Sequence, residues 1–351
     1  MIKRLRFRVL LLAVQTLITM SAPANNTRPA EKFYLEISSR SDTSAVIEQL
    51  ASEHRFTLAA PPFRLQSVDS IAVVIEPQRD AVGVLQASLN KDPRVISAAP
   101  VKNFVVAGAK STHRRGAVEE LAPDPYAPLQ HSHDATRVTQ SQVYASGHSI
   151  KVAVIDTGID ANHIDLRNQI KKQLNFVSAE QEAGTMEFHA TAVAGIIAAE
   201  SNNGHGISGV APQANLFALR ACVETNPGSS RGKCSSVALA RALDWAIINQ
   251  LDIVNMSVRG QDDQLVARLI RKAVEKGMVI VAATDLKNGQ LDFPAKLSEV
   301  IAVSDQESNS LVCLAAHSQR IFIAPGQEIL TTLPNDTYDF VTGASFAAAH
   351  V

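Results

Sequence analysis

The chain has 351 residues, 46% of them hydrophobic, and a formal net charge of −1. This length is enough for a sizeable core and for two domains. The balanced charge argues against a protein that binds nucleic acid or another polyanion, so we expect no nucleic-acid partner.

The chain begins with the layout of an export signal. Basic residues between Lys3 and Arg8 precede an apolar run at 9–20, and small residues follow as far as Ala24. That order is typical of a secretory signal peptide. The apolar run is short for a bilayer span, although an uncleaved anchor is an open alternative. We predict a signal peptide at 1–24, a secreted or periplasmic protein and no stable membrane span.

Residues 32–106 alternate between strand and helix patterns. Alternating apolar residues begin at Phe33, helical spacing follows at 45–54, strand patterns cover 56–65 and 71–75, a second helix covers 81–89, and a strand pattern at 95–106 closes the set. This order predicts a ferredoxin-like α+β domain, a split βαβ arrangement, with an unrelated small α+β domain as the alternative. Residues 107–135 are rich in Pro, Ala and charge and are predicted to be a linker.

From Ser149 onward, short apolar β-branched runs alternate with helical patterns. The runs are at 152–155, 216–219, 253–256, 279–283, 300–303 and 321–323, with helices at 236–250 and 263–276 between them. Such runs are typical of parallel strands that are buried on both faces. We therefore predict that residues 136–351 form an α/β fold with a doubly wound, mostly parallel sheet.

Three distant segments each hold a side chain suited to peptide cleavage. Asp156 lies in VAVIDTGID, His189 in FHATAVAGIIAA and Ser345 in TGASFAAAHV. A serine hydroxyl is a weak nucleophile until a histidine takes its proton, and a carboxylate fixes the tautomer and orientation of that histidine. These residue types in this combination indicate a catalytic triad.

With the blocks between them, these segments resemble the subtilase (subtilisin-like, S8-type) family of serine proteases. The blocks are NGHGISGVAPQANLFALRA, ALDWAIINQLDIVNMS, VIVAATD and FPAKLSEVIAVS, in the family's order. The resemblance implies a serine endopeptidase that acts on polypeptide substrates through an acyl-enzyme and needs no cofactor. It also implies that residues 32–106 are an I9-type propeptide, an intramolecular inhibitor whose tail lies near 104–107.

The resemblance also assigns the rest of the site. It implies that the backbone N–H of Ser345 is one oxyanion donor and that Asp285 stands where the family commonly has an asparagine donor. The other expected substrate-binding residues are Ser257, Val258, Arg259 and Thr284. Because only a protonated Asp285 can donate, we expect any activity to favour mildly acidic pH. Arg259 and Thr284 replace glycines, so the cleft is expected to be narrow and selective for small residues, or for acidic residues paired with Arg259; Arg259 pointing to solvent is the alternative.

In subtilases, further elements follow the helix that begins at the serine, whereas this sequence stops at Val351. The peptidase domain is therefore expected to be C-terminally incomplete. A fragment of a longer product, a truncated gene and a partner that supplies the missing part are all open explanations. The alternative function is an inactive, truncated pseudoprotease that binds extended peptides.

Two cysteines bracket a polar loop, and we predict that Cys222 and Cys234 form a disulfide, as an oxidising compartment allows. Cys313 lies in an apolar run and is predicted to be a buried small hydrophobic residue. No Cys and His spacing resembles a zinc site, so we predict no assignable metal site. Subtilases often bind structural calcium, and the loops at 160–168 and 201–208 offer oxygen atoms.

Overall fold

The N-terminal part of the chain folds as an antiparallel sheet with two helices. In a computed structural model that describes residues 31–39, 42–78, 82–106, 124–177, 186–285, 290–305 and 321–351, its elements are β1 (Phe33–Ser38), α1 (Thr43–His54), β2 (Phe56–Leu58), β3 (Phe63–Leu65), β4 (Ser70–Pro77), α2 (Val82–Leu89) and β5 (Val95–Pro100). The strand order is β2-β4-β1-β5, with β3 also on β4. This is the order of a split βαβ sandwich.

The two faces of β1 pack in different directions because successive side chains of a strand point to opposite sides. Phe33, Leu35 and Ile37 pack with α1 and α2 in a small core. Tyr34 belongs instead to the main core of the molecule. Residues 31–351 accordingly form one compact unit, whereas the predicted signal peptide, residues 107–123 of the predicted linker, and Cys313 lie outside the described residues.

The next strand, β6 (Asn103–Val106), leaves the N-terminal sheet. The strand pattern predicted at 95–106 is therefore wrong as a single strand, because the chain breaks after Pro100 and β6 pairs elsewhere. Proline lacks the N–H that a continuous ladder needs, which suits a strand end.

The remaining elements begin after Asp124. In chain order they are α3 (His131–Thr136), α4 (Val138–Gln142), β7 (Lys151–Asp156), β8 (Ile170–Asn175), α5 (Phe188–Ala198), β9 (Asn215–Arg220), β10 (Cys222–Glu224), β11 (Gly232–Ser235), α6 (Ser236–Ile248), β12 (Ile253–Met256), β13 (Val258–Gly260), α7 (Gln264–Glu275), β14 (Val279–Ala283), β15 (Ile301–Ser304), β16 (Ile321–Ile323), β17 (Ile329–Leu333), β18 (Thr337–Val341) and α8 (Ala344–Ala348).

A seven-stranded parallel sheet forms the centre of this part. Its order is β16-β15-β14-β12-β7-β9-β8, and every neighbouring pair is parallel. Ala153 and Ile155 of β7 pack in the core that contains α6 and α7, whereas Val152 and Val154 pack in the core that contains α5. Helices therefore cover both faces, and the predicted doubly wound parallel sheet is confirmed.

The two helices on one face start at side-chain caps. The hydroxyl of Ser235 accepts from the N–H of Ala238 at the start of α6, and the carboxylate of Asp263 accepts from the N–H of Val266 at the start of α7. Such caps satisfy backbone donors that a helix start leaves without partners. Both helices also contact the N-terminal sandwich. Asp244 of α6 accepts from the N–H groups of Gln66 and Ser67, and Arg268 of α7 donates to the carboxylate of Glu36 in β1.

Several strands were not predicted from the sequence. The edge strand β8 reads IKKQLN, and its charged residues give no apolar run. The hairpin of β17 and β18 packs against α5 through the hydroxyls of Thr331 and Thr332, which donate to the carbonyls of Ala192 and Thr191. No helix among the described residues is long and apolar enough to cross a membrane.

Candidate active site

Asp156 is the last residue of β7, at the carboxyl edge of the central sheet. Its side chain is fully buried, and one carboxylate oxygen accepts from the N–H of Thr157 at 2.6 Å. The carboxyl ends of parallel strands are the usual place for a ligand in a doubly wound fold. The sequence therefore places a buried carboxylate where chemistry is expected.

His189 lies in the first turn of α5 and faces Asp156. Its Nδ1 is 2.9 Å and 3.0 Å from the two carboxylate oxygens of Asp156, and the imidazole is fully buried. An ionised carboxylate can only accept hydrogen bonds, so Nδ1 carries the proton and Nε2 presents its lone pair. This is the tautomer that a general base requires.

Ser345 lies in the first turn of α8, after Gly343, whose φ of 153° lies in a region that favours glycine. The ring of the next residue, Phe346, lies 5.4 Å from the imidazole of His189 between centroids. The hydroxyl of Ser257 is 3.2 Å from the carbonyl oxygen of Ser345 and ties the start of this helix to the end of β12. The structure thus brings the predicted triad residues to one edge of the sheet.

Two atoms of this site have no hydrogen-bond partner. Among the described residues, four buried side-chain polar atoms lack a partner, and two of these are Nε2 of His189 and Oγ of Ser345. Such atoms are rare in folded proteins and often mark a site that acts on a ligand. Nε2 of His189 and Oγ of Ser345 are therefore not hydrogen-bonded to each other in this structure, and neither atom has another partner among the described residues.

The oxyanion side of the site differs from the expectation. Arg259 of β13 donates from Nη1 to a carboxylate oxygen of Asp285 at 3.2 Å, and both side chains are about one-third exposed. From the sequence we predicted that Arg259 either pairs with an acidic substrate residue or points into solvent. Neither prediction includes this ion pair. The Thr284 hydroxyl accepts from the N–H of Asp292 at 3.3 Å, and the side chain is buried.

An extended strand occupies the cleft beside the triad. The strand β6 lies between β11 and β13, with Val105 opposite both Lys233 and Arg259, and Val106 opposite Val258. The predicted inhibitory tail at 104–107 overlaps this strand at 104–106, and Ala107 lies outside the described residues. Both edges of the cleft therefore pair with a peptide backbone.

The side chains of β6 fill the cleft. Phe104 is fully buried, its ring lies 5.9 Å from that of Phe293, and a Cβ on Gly260 would come within 2.5 Å of it. At the other end of the strand, a Cβ on Gly232 would meet methyl groups of both Thr157 and Val106 at 2.9–3.0 Å. Since Thr157 follows Asp156, β6 leads directly towards the triad.

The structure joins Cys222 and Cys234 by a disulfide. These residues lie opposite each other on β10 and β11, and Cys234 also pairs with Phe104 of β6. The disulfide therefore supports the strand that forms one edge of the cleft.

The two loops that offer oxygen atoms for calcium are held in place by hydrogen bonds to two buried carboxylates. The carboxylate of Asp165 accepts from Asn203, from the N–H of Ile207 and from the hydroxyl of Tyr338. Asp160 accepts from the N–H groups of Asn162 and Asn335.

Sequence reasoning missed a buried ion pair behind the triad. Glu187 and Arg220 face each other with side chains only 5–6% exposed. An acidic residue two positions before His189 and an arginine that ends β9 are visible in the sequence, but no spacing rule connects residues that far apart. Only the fold brings them together.

Comparison with known proteins identifies the family. Residues 147–351 match the profile of the Subtilase family of S8 peptidases. The chain is 37% identical over 218 residues to the major intracellular serine protease of Bacillus subtilis (strain 168), covering 58% of this chain and 66% of that protein. It is 33% identical over 273 residues to subtilisin E of the same organism, covering 70% of this chain and 68% of that protein.

A solved structure shows the same fold. Fervidolysin from Fervidobacterium pennivorans, a keratinolytic enzyme related to subtilisin, superposes with a TM-score of 0.67 at 20% sequence identity. The match covers 92% of this chain and 53% of fervidolysin. The chain thus spans about two thirds of the two Bacillus relatives and about half of fervidolysin.

Proposed function

Because the chain belongs to the subtilase family of serine proteases, we propose that it is a serine endopeptidase that hydrolyses peptide bonds through an acyl-enzyme. Asp156, His189 and Ser345 are its triad. The observation that carries this proposal is the contact of Nδ1 of His189 with both carboxylate oxygens of Asp156, which leaves Nε2 of the ring without a partner.

The arrangement supports a stepwise proton transfer. Nε2 of His189 takes the proton of the Ser345 hydroxyl as Oγ bonds to the carbonyl carbon of the substrate, and later gives it to the leaving amine. Asp156 holds the ring through Nδ1 and stabilises the imidazolium that forms. Water then attacks the acyl-enzyme, with His189 acting again as base.

The oxyanion of the tetrahedral intermediate needs donors. We assign one to the backbone N–H of Ser345 and place Asp285 at the second position. Asp285 pairs with Arg259, so the negative charge beside the oxyanion is offset by a guanidinium. This ion pair supports turnover despite the absence of an asparagine donor.

The substrate is a polypeptide bound as an extended strand. In this proposal, Ser257 and Val258 on one edge, with Arg259 and Thr284 near the scissile bond, form the substrate-binding set. Main-chain pairing on β11 and β13 tolerates many sequences, because every residue except proline offers the same N–H and C=O groups. No cofactor is required for this chemistry.

The N-terminal sandwich acts as the propeptide, with β6 as its inhibitory tail. Fully buried Phe104 and the burial of all three triad side chains support a blocked precursor. Cleavage after β6 would release the mature enzyme. We also propose export of the protein, on the basis of the signal-like sequence at 1–24.

A fluorophosphonate probe tests the proposal, since it bonds covalently to an activated serine. We expect labelling of the processed protein, loss of labelling in Ser345→Ala, and accumulation of the unprocessed chain in that variant. A fully processed protein that takes up no probe would contradict the proposal.

The rival function is an inactive pseudoprotease that binds extended peptides. The cleft geometry that holds β6 supports peptide binding with or without catalysis. The rival predicts that a β6-like peptide binds while the probe does not react. The two outcomes of the labelling experiment therefore separate the two functions.

A further inference from the structure

We propose that Glu187 and Arg220 form a positioning pair that holds His189 against Asp156, an inference that rests on the proposed peptidase function. Neither residue touches the reacting atoms. Arg220 ends β9, the strand beside β7 that carries Asp156, and Glu187 directly precedes α5, the helix that carries His189.

The pair is a close, two-point contact. Nε of Arg220 donates to one carboxylate oxygen of Glu187 at 2.7 Å, and Nη2 donates to the other at 3.2 Å. Bidentate pairs of this kind fix orientation as well as distance. Because both side chains are almost fully buried, water does not compete for these bonds.

Glu187 also connects the loop segments around the triad. Its carboxylate accepts from the N–H of Gly158, in the turn after Asp156, and from the N–H of Glu224 in β10 at 2.9 Å. Its own N–H donates to the carbonyl of Gly158 at 3.0 Å, and its carbonyl accepts from the hydroxyl of Thr191 in α5 at 2.7 Å. One residue therefore ties the turn after Asp156 to the first turn of the His189 helix.

Arg220 anchors this arrangement to the sheet. It is the register partner of Asp156 where β9 runs parallel to β7. The N–H of the next residue, Ala221, donates to the carbonyl of Asp156 at 2.9 Å. Any movement of the His189 helix away from Asp156 would therefore break contacts on the strand beside Asp156.

A buried ion pair is weak evidence for a role in stability, because a protein in which apolar residues of the same volume replace such a pair is often equally stable. The position of this pair gives it a further effect. Removing one charge of the pair while the other remains changes the electrostatic field at the imidazole of His189, because interactions between buried charges are poorly screened.

Among the described residues, two further carboxylates lie beside the start of the His189 helix. Asp156 faces His189 from β7. On β10, Glu224 accepts from the N–H of Phe188, and burial raises the pKa of this carboxyl. The residues of β6 and α8 carry no charge.

The test compares Glu187→Gln with the double variant Glu187→Gln/Arg220→Gln. The single variant leaves the positive charge of Arg220 without its partner, which disfavours the imidazolium. We expect the acid limb of the pH–rate profile for fluorophosphonate labelling to move down by about 0.5–1 pH unit and the maximal rate to fall. In the double variant we expect the limb to return to its original pH while the rate stays low.

The matched control is Glu299→Gln, which removes the carboxylate partner of Arg271 in an exposed ion pair. It should leave both the rate and the limb unchanged. The inference is overturned if the acid limb of the pH–rate profile does not move in Glu187→Gln, or if it does not return to its original pH in the double variant.

A second measurement needs no catalysis. In a Ser345→Ala background, the titration of the His189 ring is followed by NMR, with its signal assigned by its loss in His189→Gln. The same downward shift of the midpoint in Glu187→Gln is expected, and its absence overturns the inference. If the parent protein is not labelled at all, the proposed peptidase function fails, whereas the NMR result still decides the role of the pair.

Discussion

The guanidinium of Arg259 lies 3.2 Å from the carboxylate of Asp285 and joins the strand edge that holds the peptide to the segment after β14. The resemblance to subtilases implies glycine at the position of Arg259 and asparagine at the position of Asp285. The structure shows that these two departures meet. If Asp285 faces the oxyanion, as we propose, the neighbouring guanidinium offsets the charge of its carboxylate.

We predict that Asp285→Asn raises kcat, because an amide donates to the oxyanion and an ionised carboxylate cannot. A subtilisin that loses its asparagine donor loses about 10²–10³ in kcat, and this known case sets the upper limit of the gain. Since Arg259 already offsets the charge, we expect a gain of about tenfold. Steady-state cleavage of a fluorogenic peptide is the measurement.

The control for this prediction is Asp262→Asn, an exposed aspartate that pairs with Lys296. The pH profile gives a second readout. If protonated Asp285 is a donor, the parent enzyme is faster at mildly acidic pH and Asp285→Asn loses this preference. An unchanged rate together with an unchanged profile in Asp285→Asn would show that Asp285 does not face the oxyanion.

A peptide library tests the width of the cleft. Thr284 and Arg259 carry side chains where the family pattern has glycine, so we predict a preference for small residues before the cut. The Thr284→Gly and Arg259→Gly variants should accept larger residues there, with Lys233→Gly on the opposite edge as a control for general loosening. A parent enzyme that prefers bulky aromatic residues at this position would refute the narrowing.

The disulfide supports one edge of the cleft. Cys222 and Cys234 are separated by 12 residues, and closing a loop of that size contributes about 3 kcal/mol to stability. Because Cys234 pairs with the strand in the cleft, we predict that Cys222→Ser/Cys234→Ser raises KM several-fold while kcat changes little. Peptide kinetics with and without a reductant check this, since the reductant should affect the parent and leave the variant unchanged.

Two half-buried histidines give the fold a pH dependence. Burial lowers the pKa of His133 and of His350 to about 4 from an ordinary value of 6.5. The folded state keeps both rings neutral while the unfolded chain binds protons below about pH 6.5. Their contribution to the free energy of unfolding is therefore fully present above pH 6.5 and is lost as the pH falls towards 4.

We predict that His133→Gln and His350→Gln each flatten the decline of stability between pH 6.5 and 4. Urea unfolding of the Ser345→Ala protein, which avoids self-digestion, measures this slope. The exposed His148 provides the control, and His148→Gln should leave the slope unchanged. Equal slopes in all four proteins would contradict the assignment.

The sequence predicts the central sheet because buried parallel strands are continuous apolar runs, as in β12 and β14. It predicts Asp156, His189 and Ser345 because each lies at a strand end or helix start beside a recognisable block. It cannot predict that Arg259 meets Asp285 or that Glu187 meets Arg220. These contacts depend on the distances between segments far apart in the chain, which the packing of side chains determines.

The boundary at Pro100 was missed for a related physical reason. The residues on both sides of it have the same β-rich pattern, so local propensity cannot tell a strand that ends from one that continues. The pairing partners determine where the strand ends, because β5 pairs within the N-terminal sheet and β6 pairs with β11 and β13.

The buried ring of Phe104 is the main anchor of the strand in the cleft. It packs against Phe293 and Gly260 with no exposed surface, so Phe104→Ala removes an entire aromatic side chain from the core. Such truncations cost about 3–5 kcal/mol. We predict that Phe104→Ala loosens β6 and that the processed N-terminal segment dissociates from the enzyme faster by a factor of about 10² or more.

The matched control is Val105→Ala on the same strand, whose side chain is 44% exposed. Val105 pairs through its backbone, so its truncation should change the dissociation rate by less than about threefold. Stopped-flow dilution of the processed complex into excess fluorogenic peptide measures both rates as the return of activity. If Phe104→Ala and Val105→Ala release the segment equally fast, the affinity lies in backbone pairing and the pocket for Phe104 has no anchoring role.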